Sequence, residues 1–290
     1  MQIGLVGLGR MGGNMRERLR AAGHEVVGFD RDPGVTDVSS LSELAEKLAT
    51  PRVVWVMVPA QVTEATIDEL SGVLTAGDIV IDGGNSRFSD DAPRAEKLDR
   101  FGIGYVDVGV SGGVWGRQNG YALMVGGSNE HVERLMPIFE ALKPAGEFGF
   151  VHAGPVGAGH YSKMVHNGIE YGLMHAYAEG YELMAASELV TNVPGVIKSW
   201  REGTVVRSWL LDLLDRALDE DPELSSLRGY ADDTGEGRWT VEEGIRLAVP
   251  MNVIAASLFA RFVSRQDDSP AIKAVAALRN QFGGHAIHKN

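Results

Sequence analysis

Cysteine is absent from all 290 residues, which removes disulfides, thiolate zinc sites and a thiol nucleophile. Long apolar runs are missing as well; none approaches the roughly 20 residues that a bilayer-spanning helix needs. No cationic leader with an apolar core precedes the first strand pattern, so a cytoplasmic setting is the expectation. Basic charge is scarce: 27 Lys and Arg stand against 39 Asp and Glu, a net charge of −12. That balance disfavours nucleic acid as a partner. It also means that an anionic ligand needs local cations to overcome a repulsive field. Eight histidines are present, but no HExxH-type spacing, so no metal is expected. There is no internal repeat and no low-complexity tract. What remains is an ordinary globular composition, 44% hydrophobic and 23% charged, long enough for one large or two modest domains.

The first half alternates strand and helix patterns. Gln2–Val6 is a short apolar strand, followed by Gly7-Leu8-Gly9-Arg10-Met11-Gly12 and a helix over 14–22. A second strand, Glu25–Phe29, ends at Asp30, 18 residues after Gly12. Each part has a physical reason. Gly7 permits a tight turn, Gly9 lets the backbone approach a pyrophosphate, and Gly12 allows close helix–strand packing. The helix start offers free N–H groups and a positive dipole end to phosphates. Asp30 is placed to accept hydrogen bonds from both ribose hydroxyls. Its carboxylate repels a 2′-phosphate, so NAD is the expected cofactor and NADP the weaker one. Arg31 pulls the other way if it pairs with a 2′-phosphate, or else it stacks on adenine.

Further strands are expected over 53–58, 78–82, 103–108 and 121–125, with helices over 41–48, 63–70, 92–101 and 129–142. The run V-V-W-V-M-V suits a strand buried on both faces. It ends at Val58-Pro59-Ala60, where a strand's carboxyl end should meet the cofactor. Asn85-Ser86, and Ser111-Gly112-Gly113, follow two other strands and bring amide, hydroxyl and backbone donors to the same crevice. The expectation is a doubly wound α/β sheet of the Rossmann type over 1–157. After the breakers Gly154-Pro155-Val156-Gly157 the strand signals fade. An all-α domain is expected over 158–290, with helices over 158–186, 194–200, 206–218, 240–262 and 271–280. The apolar run Ile254–Val263 fits either a face for a second copy or an internal core helix.

The stretch from Lys163 to Tyr171 carries the chemistry. Lys163, His166, Asn167 and Glu170 fall at i, i+3, i+4 and i+7, one face of a helix. A packing helix would put Leu or Ala there, and a solvated face would carry charge alone. An amine, an imidazole, an amide and a carboxylate on one stripe suit proton transfer.

These motifs resemble those of 6-phosphogluconate dehydrogenases in their short bacterial form. They are Gly7-x-Gly9-x-x-Gly12, Asp82-Gly83-Gly84-Asn85-Ser86, Gly109-Val110-Ser111-Gly112-Gly113, Lys163 through Tyr171, Gly237-Arg238-Trp239-Thr240 and Arg279 through His285. The resemblance covers nearly the whole chain. It implies oxidation of 6-phosphogluconate at C3 by NAD, then loss of CO2 to give ribulose 5-phosphate, as in pentose phosphate metabolism or gluconate use. Lys163 becomes the base and Glu170 the acid that protonates the enediol. Asn85, Ser111, Gly112, Gly113, His166 and Asn167 become contacts to the sugar acid, and Tyr171, Arg261, Arg279 and His285 contacts to its phosphate. In the family the tail reaches a neighbouring subunit's site, which implies a homodimer or homotetramer. Two departures stand out. Thr234 and Glu236 occupy positions where longer relatives hold phosphate with Lys and Thr, and Asp30 replaces their Asn. Rival readings are a β-hydroxyacid dehydrogenase acting on a short or unphosphorylated acid, and a non-catalytic dinucleotide sensor. The cluster of Arg261, Arg279 and His285 argues against the first, and the presence of both Lys163 and Glu170 against the second.

Overall fold

A computed structural model describes residues 1–288. It forms two compact units, the first Met1–Asn167 and the second beginning at Gly168.

The first unit is built on seven strands: β1 (Gln2–Val6), β2 (Glu25–Phe29), β3 (Val53–Val56), β4 (Ile79–Asp82), β5 (Gly104–Ser111), β6 (Ala122–Gly126) and β7 (Phe150–Gly154). Their order is β2-β1-β3-β4-β5-β6-β7, parallel throughout except for the antiparallel β5–β6 pair. The connections run outward in opposite directions from β1 and β3. That reversal leaves a crevice at their carboxyl ends, where such sheets hold ligands.

Strand period 2 sorts the core into two layers. Ile3, Leu5, Val53, Trp55, Ile79 and Ile81 face one side. They pack with Met15 and Leu19 of α1 (Arg10–Ala21) and Val132, Leu135 and Phe139 of α6 (Asn129–Leu142). Val6, Val54, Val56 and Val80 face the other. There they meet α2 (Leu41–Lys47), α3 (Ala60–Ser71) and α4 (Asp91–Asp99) through Leu41, Leu44, Ile67, Leu70 and Leu98. Coverage on both faces explains why β3 reads as an unbroken apolar run. Burying each such side chain is worth about 1.5–3 kcal/mol. The short α5 (Gly116–Asn119) follows the turn after β5.

The helix α7 (Ala158–Ala185) runs for 28 residues. The two units divide within it, ten residues beyond the break expected at 157/158. Its first turns lie against the sheet because the facing positions carry no side chain. A Cβ on Gly159 would sit 2.4 Å from the Met124 carbonyl oxygen, and one on Gly109 would sit 2.4 Å from the Lys163 Cβ.

The second unit is helical: α8 (Val193–Ser199), α9 (Trp209–Glu220), α10 (Glu236–Arg246), α11 (Asn252–Ser264) and α12 (Pro270–Gly283) follow the end of α7. Ile197, Leu211 and Leu218 form a small core with Tyr177 and Tyr181. The single helix expected over 240–262 is in fact two. Pro250 lacks an amide donor and pushes Val249 out of the helical region, and Ala248 turns left-handed at φ 54°. β7 was also not anticipated, its five residues running from just after the breaker Gly149 through Gly154. Helices α1 and α3 begin four and three residues earlier than their apolar patterns suggest.

Candidate active site

The glycine motif sits as its chemistry requires. Gly7 turns at φ 93°, and a Cβ there would meet the Met57 carbonyl oxygen at 2.5 Å. A Cβ on Gly12 would lie 1.9 Å from the Gly7 carbonyl oxygen, so α1 closes directly on the strand. A Cβ on Gly9 would meet nothing within 4 Å. Gly9 is the N-cap of α1 and supplies no side chain to the helix's first amides. Those amides are therefore left for an anion.

A cavity of about 670 Å³ opens beside this loop, room for a ligand of dinucleotide size. Its walls include Gly7, Gly9, Arg10, Met11 and Gly12, together with Asp30, Arg31, Val58, Pro59 and Asn85. Ten of the twelve expected cofactor residues thus share one cavity. The other two lie differently. The Leu8 side chain is buried in the sheet core, while its amide donates to Asp30 Oδ2 at 2.6 Å. Ala60 opens α3 behind Pro59. Asp30 Oδ1 also accepts from the Asp32 amide at 2.9 Å. The carboxylate therefore orients the glycine loop. Sequence reasoning missed the α3 wall, Val62, Thr66 and Glu69. Their spacing of four and three is a helical stripe and was there to be read.

Beyond the cleft, β4 and β5 end in two polar turns. Asn85 is exposed. Its neighbour Ser86 is buried, and its hydroxyl donates to Asp82 Oδ2 at 2.7 Å. The Ser86 hydroxyl thus serves the fold and is no ligand donor. Ser111 ends β5, and Gly112 and Gly113 take φ values of 135° and 53° that a side chain would strain. Lys163 crosses β5 above Gly109. Its Nζ donates to Asn167 Oδ1 at 2.7 Å, and His166 Nδ1 lies 3.0 Å from the same oxygen. Three of the four stripe residues are therefore mutually oriented through one amide. Glu170 follows two helical turns after Lys163 on α7.

In the second unit, Tyr171 is buried and its ring carries the Arg261 guanidinium at 3.5 Å. Gly237 makes room for that ring: a Cβ there would lie 2.5 Å from it. Arg261 Nη1 donates to the Asp232 carbonyl at 2.7 Å. Glu236 is buried in the first turn of α10 and accepts from the Thr234 hydroxyl at 2.6 Å. Thr234 and Glu236, which stand where the longer relatives hold phosphate, thus bond to each other, and the acid sits where a helix N-terminus favours it. Arg279 and His285 lie on and just beyond α12, both exposed. The Asn280 side chain holds the His285 carbonyl at 2.9 Å.

A buried charged cluster, unforeseen in the sequence, lies at the foot of α7. His160 Nδ1 is 2.9 Å from both oxygens of Asp91. Tyr105 donates to Asp91 at 2.8 Å, and Arg94 Nη1 pairs with Asp82 at 3.1 Å. Burial alone would lower the His160 pKa, but the Asp91 carboxylate outweighs it and raises it to about 9. Asp91 itself is pushed up to about 6, chiefly by burial and against the pull of His160. Among the described residues, Asp82, Asp91 and His160 are a set of three side chains close enough for a metal. Arg94 and the imidazolium already supply positive charge there.

The NAD-binding-domain model of 6-phosphogluconate dehydrogenase matches residues 2–149, and the model of that enzyme's C-terminal domain matches 159–285. The chain belongs to the 6-phosphogluconate dehydrogenase family. Within the family, it is 41% identical to the NAD(+)-dependent, decarboxylating 6-phosphogluconate dehydrogenase of Haloferax volcanii, over 99% of this chain and 98% of that one. The decarboxylating enzyme of Staphylococcus aureus is 36% identical over 91% of this chain, but only 61% of its own length is spanned. The 6-phosphogluconate dehydrogenase of Plasmodium falciparum, a solved structure, superposes with a TM-score of 0.84 at 26% identity, covering 100% of this chain and 66% of that one. The chain thus spans roughly two thirds of the length of the staphylococcal and plasmodial proteins.

Proposed function

We propose that this chain oxidises 6-phosphogluconate at C3 and decarboxylates it to ribulose 5-phosphate, with NAD as the preferred hydride acceptor and NADP the weaker one. The observation that carries the proposal is Lys163, held by Asn167 on a helix that crosses the strand ending in Ser111-Gly112-Gly113. Bound NAD supplies the acceptor for the C3 hydride. As the hydride leaves, neutral Lys163 takes the C3 hydroxyl proton, so no alkoxide need accumulate. The product is a β-keto acid. The ammonium of Lys163 then donates to the C3 carbonyl oxygen while the C1–C2 bond breaks. The electron pair moves into the C2–C3 bond, and CO2 departs. Glu170, as the acid, protonates the carbon that held the carboxylate.

In this reading Asn85, Ser111, Gly112, Gly113, His166 and Asn167 hold the hydroxyls and carboxylate of the sugar acid. Tyr171 and Arg261 hold the phosphate, the guanidinium's planar fork suiting two of its oxygens. Arg279 and His285 serve a neighbouring subunit. Uncovered apolar faces support that part: Ile272, Val275 and Leu278 on α12 are 66%, 49% and 66% exposed, and Val253, Phe259 and Val263 on α11 are 68%, 55% and 65% exposed. Surfaces of this kind mark association. A second copy would then supply what longer relatives carry in one chain. The 158–290 segment is thereby the substrate and dimerisation domain, and the cytoplasm is the setting we assign. No described helix is long and apolar enough to cross a membrane.

The test is 6-phosphogluconate labelled with carbon-13 at C1, incubated with the protein and NAD. Labelled CO2 in step with NADH supports the proposal. NADH without CO2 would point to a plain hydroxyacid dehydrogenase.

A further inference from the structure

We propose that the buried chain of groups from Asp82 through Tyr105 and Asp91 to His160 positions Lys163 against the Asn85 turn, with His160 as its positioning residue. The inference rests on the reading of Lys163 as the base.

The chain is continuous and lies wholly within the first unit. At one end, Asp82 Oδ1 accepts from the Gly84 amide at 2.9 Å, and Oδ2 accepts from Ser86 at 2.7 Å. These two bonds shape the turn that presents Asn85. Arg94 of α4 donates to the same Asp82 oxygen at 3.1 Å, and Tyr105 of β5 reaches it at 3.3 Å. The Tyr105 hydroxyl lies 2.8 Å from Asp91 Oδ1, and Asp91 grips His160 at 2.9 Å. His160 lies one helical turn before Lys163. Its backbone amide donates to Asp107 Oδ2 at 2.9 Å, while Oδ1 of that residue accepts from Gly157 at 2.7 Å. Asp107 therefore caps α7 from the strand that runs on to Ser111. Every side chain in the chain is buried, from 0% to 6% exposed.

His160 is the weak point. Among the described residues its Nε2 is buried without a hydrogen-bond partner, so its ring is tethered there through Asp91. The groups facing it are Asp91 and Arg94 from α4, Asp82 from β4, and Tyr105 and Asp107 from β5. While the imidazole is charged, the tether is a charge-assisted bond, about twice as strong as a neutral one. Once it is neutral, Asp91 keeps its charge with one fewer cation beside it. The foot of α7 then loosens and Lys163 drifts relative to Asn85 and Ser111. Misplacement by about 1 Å can cost on the order of a hundredfold in rate.

The experiment compares wild type with Asp91→Asn, which is isosteric, and with His160→Gln. Amide hydrogen exchange over 157–167 is followed from pH 7 to 10, corrected for intrinsic rates, beside kcat with 6-phosphogluconate and the KM for NAD. In wild type, protection of 157–167 should drop roughly tenfold or more as the pH passes about 9. The kcat should fall with it while the KM for NAD holds. In both variants the fast exchange and low kcat should already be present at pH 7, with no further step. Protection and kcat equal to wild type in Asp91→Asn would overturn the proposal, as would protection lost evenly across the whole sheet. An exchange step without any turnover of 6-phosphogluconate would sink the substrate assignment and leave the positioning role standing.

Discussion

Gly9→Ala separates cofactor binding from folding better than any other single change here. A Cβ at this position meets nothing within 4 Å, and the backbone stands at φ −59° and ψ −167°, which alanine adopts without strain. Replacing glycine where the conformation suits alanine stabilises a protein by about 0.4–1 kcal/mol through the unfolded state. Alanine is a poorer N-cap than glycine, which takes back a similar amount, roughly 0.5–1 kcal/mol. Net stability should therefore stay within about 1 kcal/mol of wild type. Binding should behave otherwise. The added methyl fills the space through which a pyrophosphate reaches the amides opening α1, and each charge-assisted bond lost costs about 1.5–3 kcal/mol. One such bond raises the dissociation constant for NAD about tenfold to a hundredfold. Thermal melts with an NAD titration read both quantities. Gly12→Ala is the contrast: its Cβ would lie 1.9 Å from a backbone oxygen, so it should lose stability by about 1–3 kcal/mol or more. Unchanged NAD affinity in Gly9→Ala, or a stability loss matching Gly12→Ala, would refute the reasoning.

Four further outcomes are expected. Lys163→Met should abolish turnover while NAD binding, measured by titration, stays near wild type; lost NAD binding would argue against the base role. Asp30→Asn should move the ratio of kcat/KM for NADP over NAD upward, and an unchanged ratio would show that another residue selects the cofactor. Removing residues 279–290 should raise the KM for 6-phosphogluconate, whereas an unaltered KM would remove the tail from the site. Finally, the His160 pKa rises from 6.5 to about 9 on folding, so the stability it contributes is complete below pH 6.5 and lost as the pH climbs through 9. That loss is about 3 kcal/mol, readable as a fall in the urea midpoint between pH 7 and pH 10 that His160→Gln should lack.

The cofactor half was legible because its constraints are local. Gly7, Gly9 and Gly12 each answer a separate steric demand within six residues, and the structure meets all three. The stripe on α7 was legible through helical spacing, which brings Lys163 and Asn167 together directly. Other features lay beyond local reading. His160 and Asp91 are 69 residues apart in sequence, and only the assembled sheet joins them. Ser86 looked like a ligand donor because nothing in the motif shows that Asp82 turns back to claim its hydroxyl. Pro250 was a visible breaker overridden by apolar periodicity on both sides, and the two helices α10 and α11 show that the breaker prevails. The pairing of Thr234 with Glu236 was likewise hidden, since it depends on the turn that opens α10.

The most direct test of the central claim is a set of four initial rates: NAD and NADP reduction by the purified protein, each with 6-phosphogluconate and with unphosphorylated gluconate. The account predicts rapid NADH formation with 6-phosphogluconate, slower NADPH formation, and little activity on gluconate. Activity confined to gluconate would contradict the assignment of Tyr171 and Arg261 to a phosphate, and a preference for NADP would contradict the role given to Asp30.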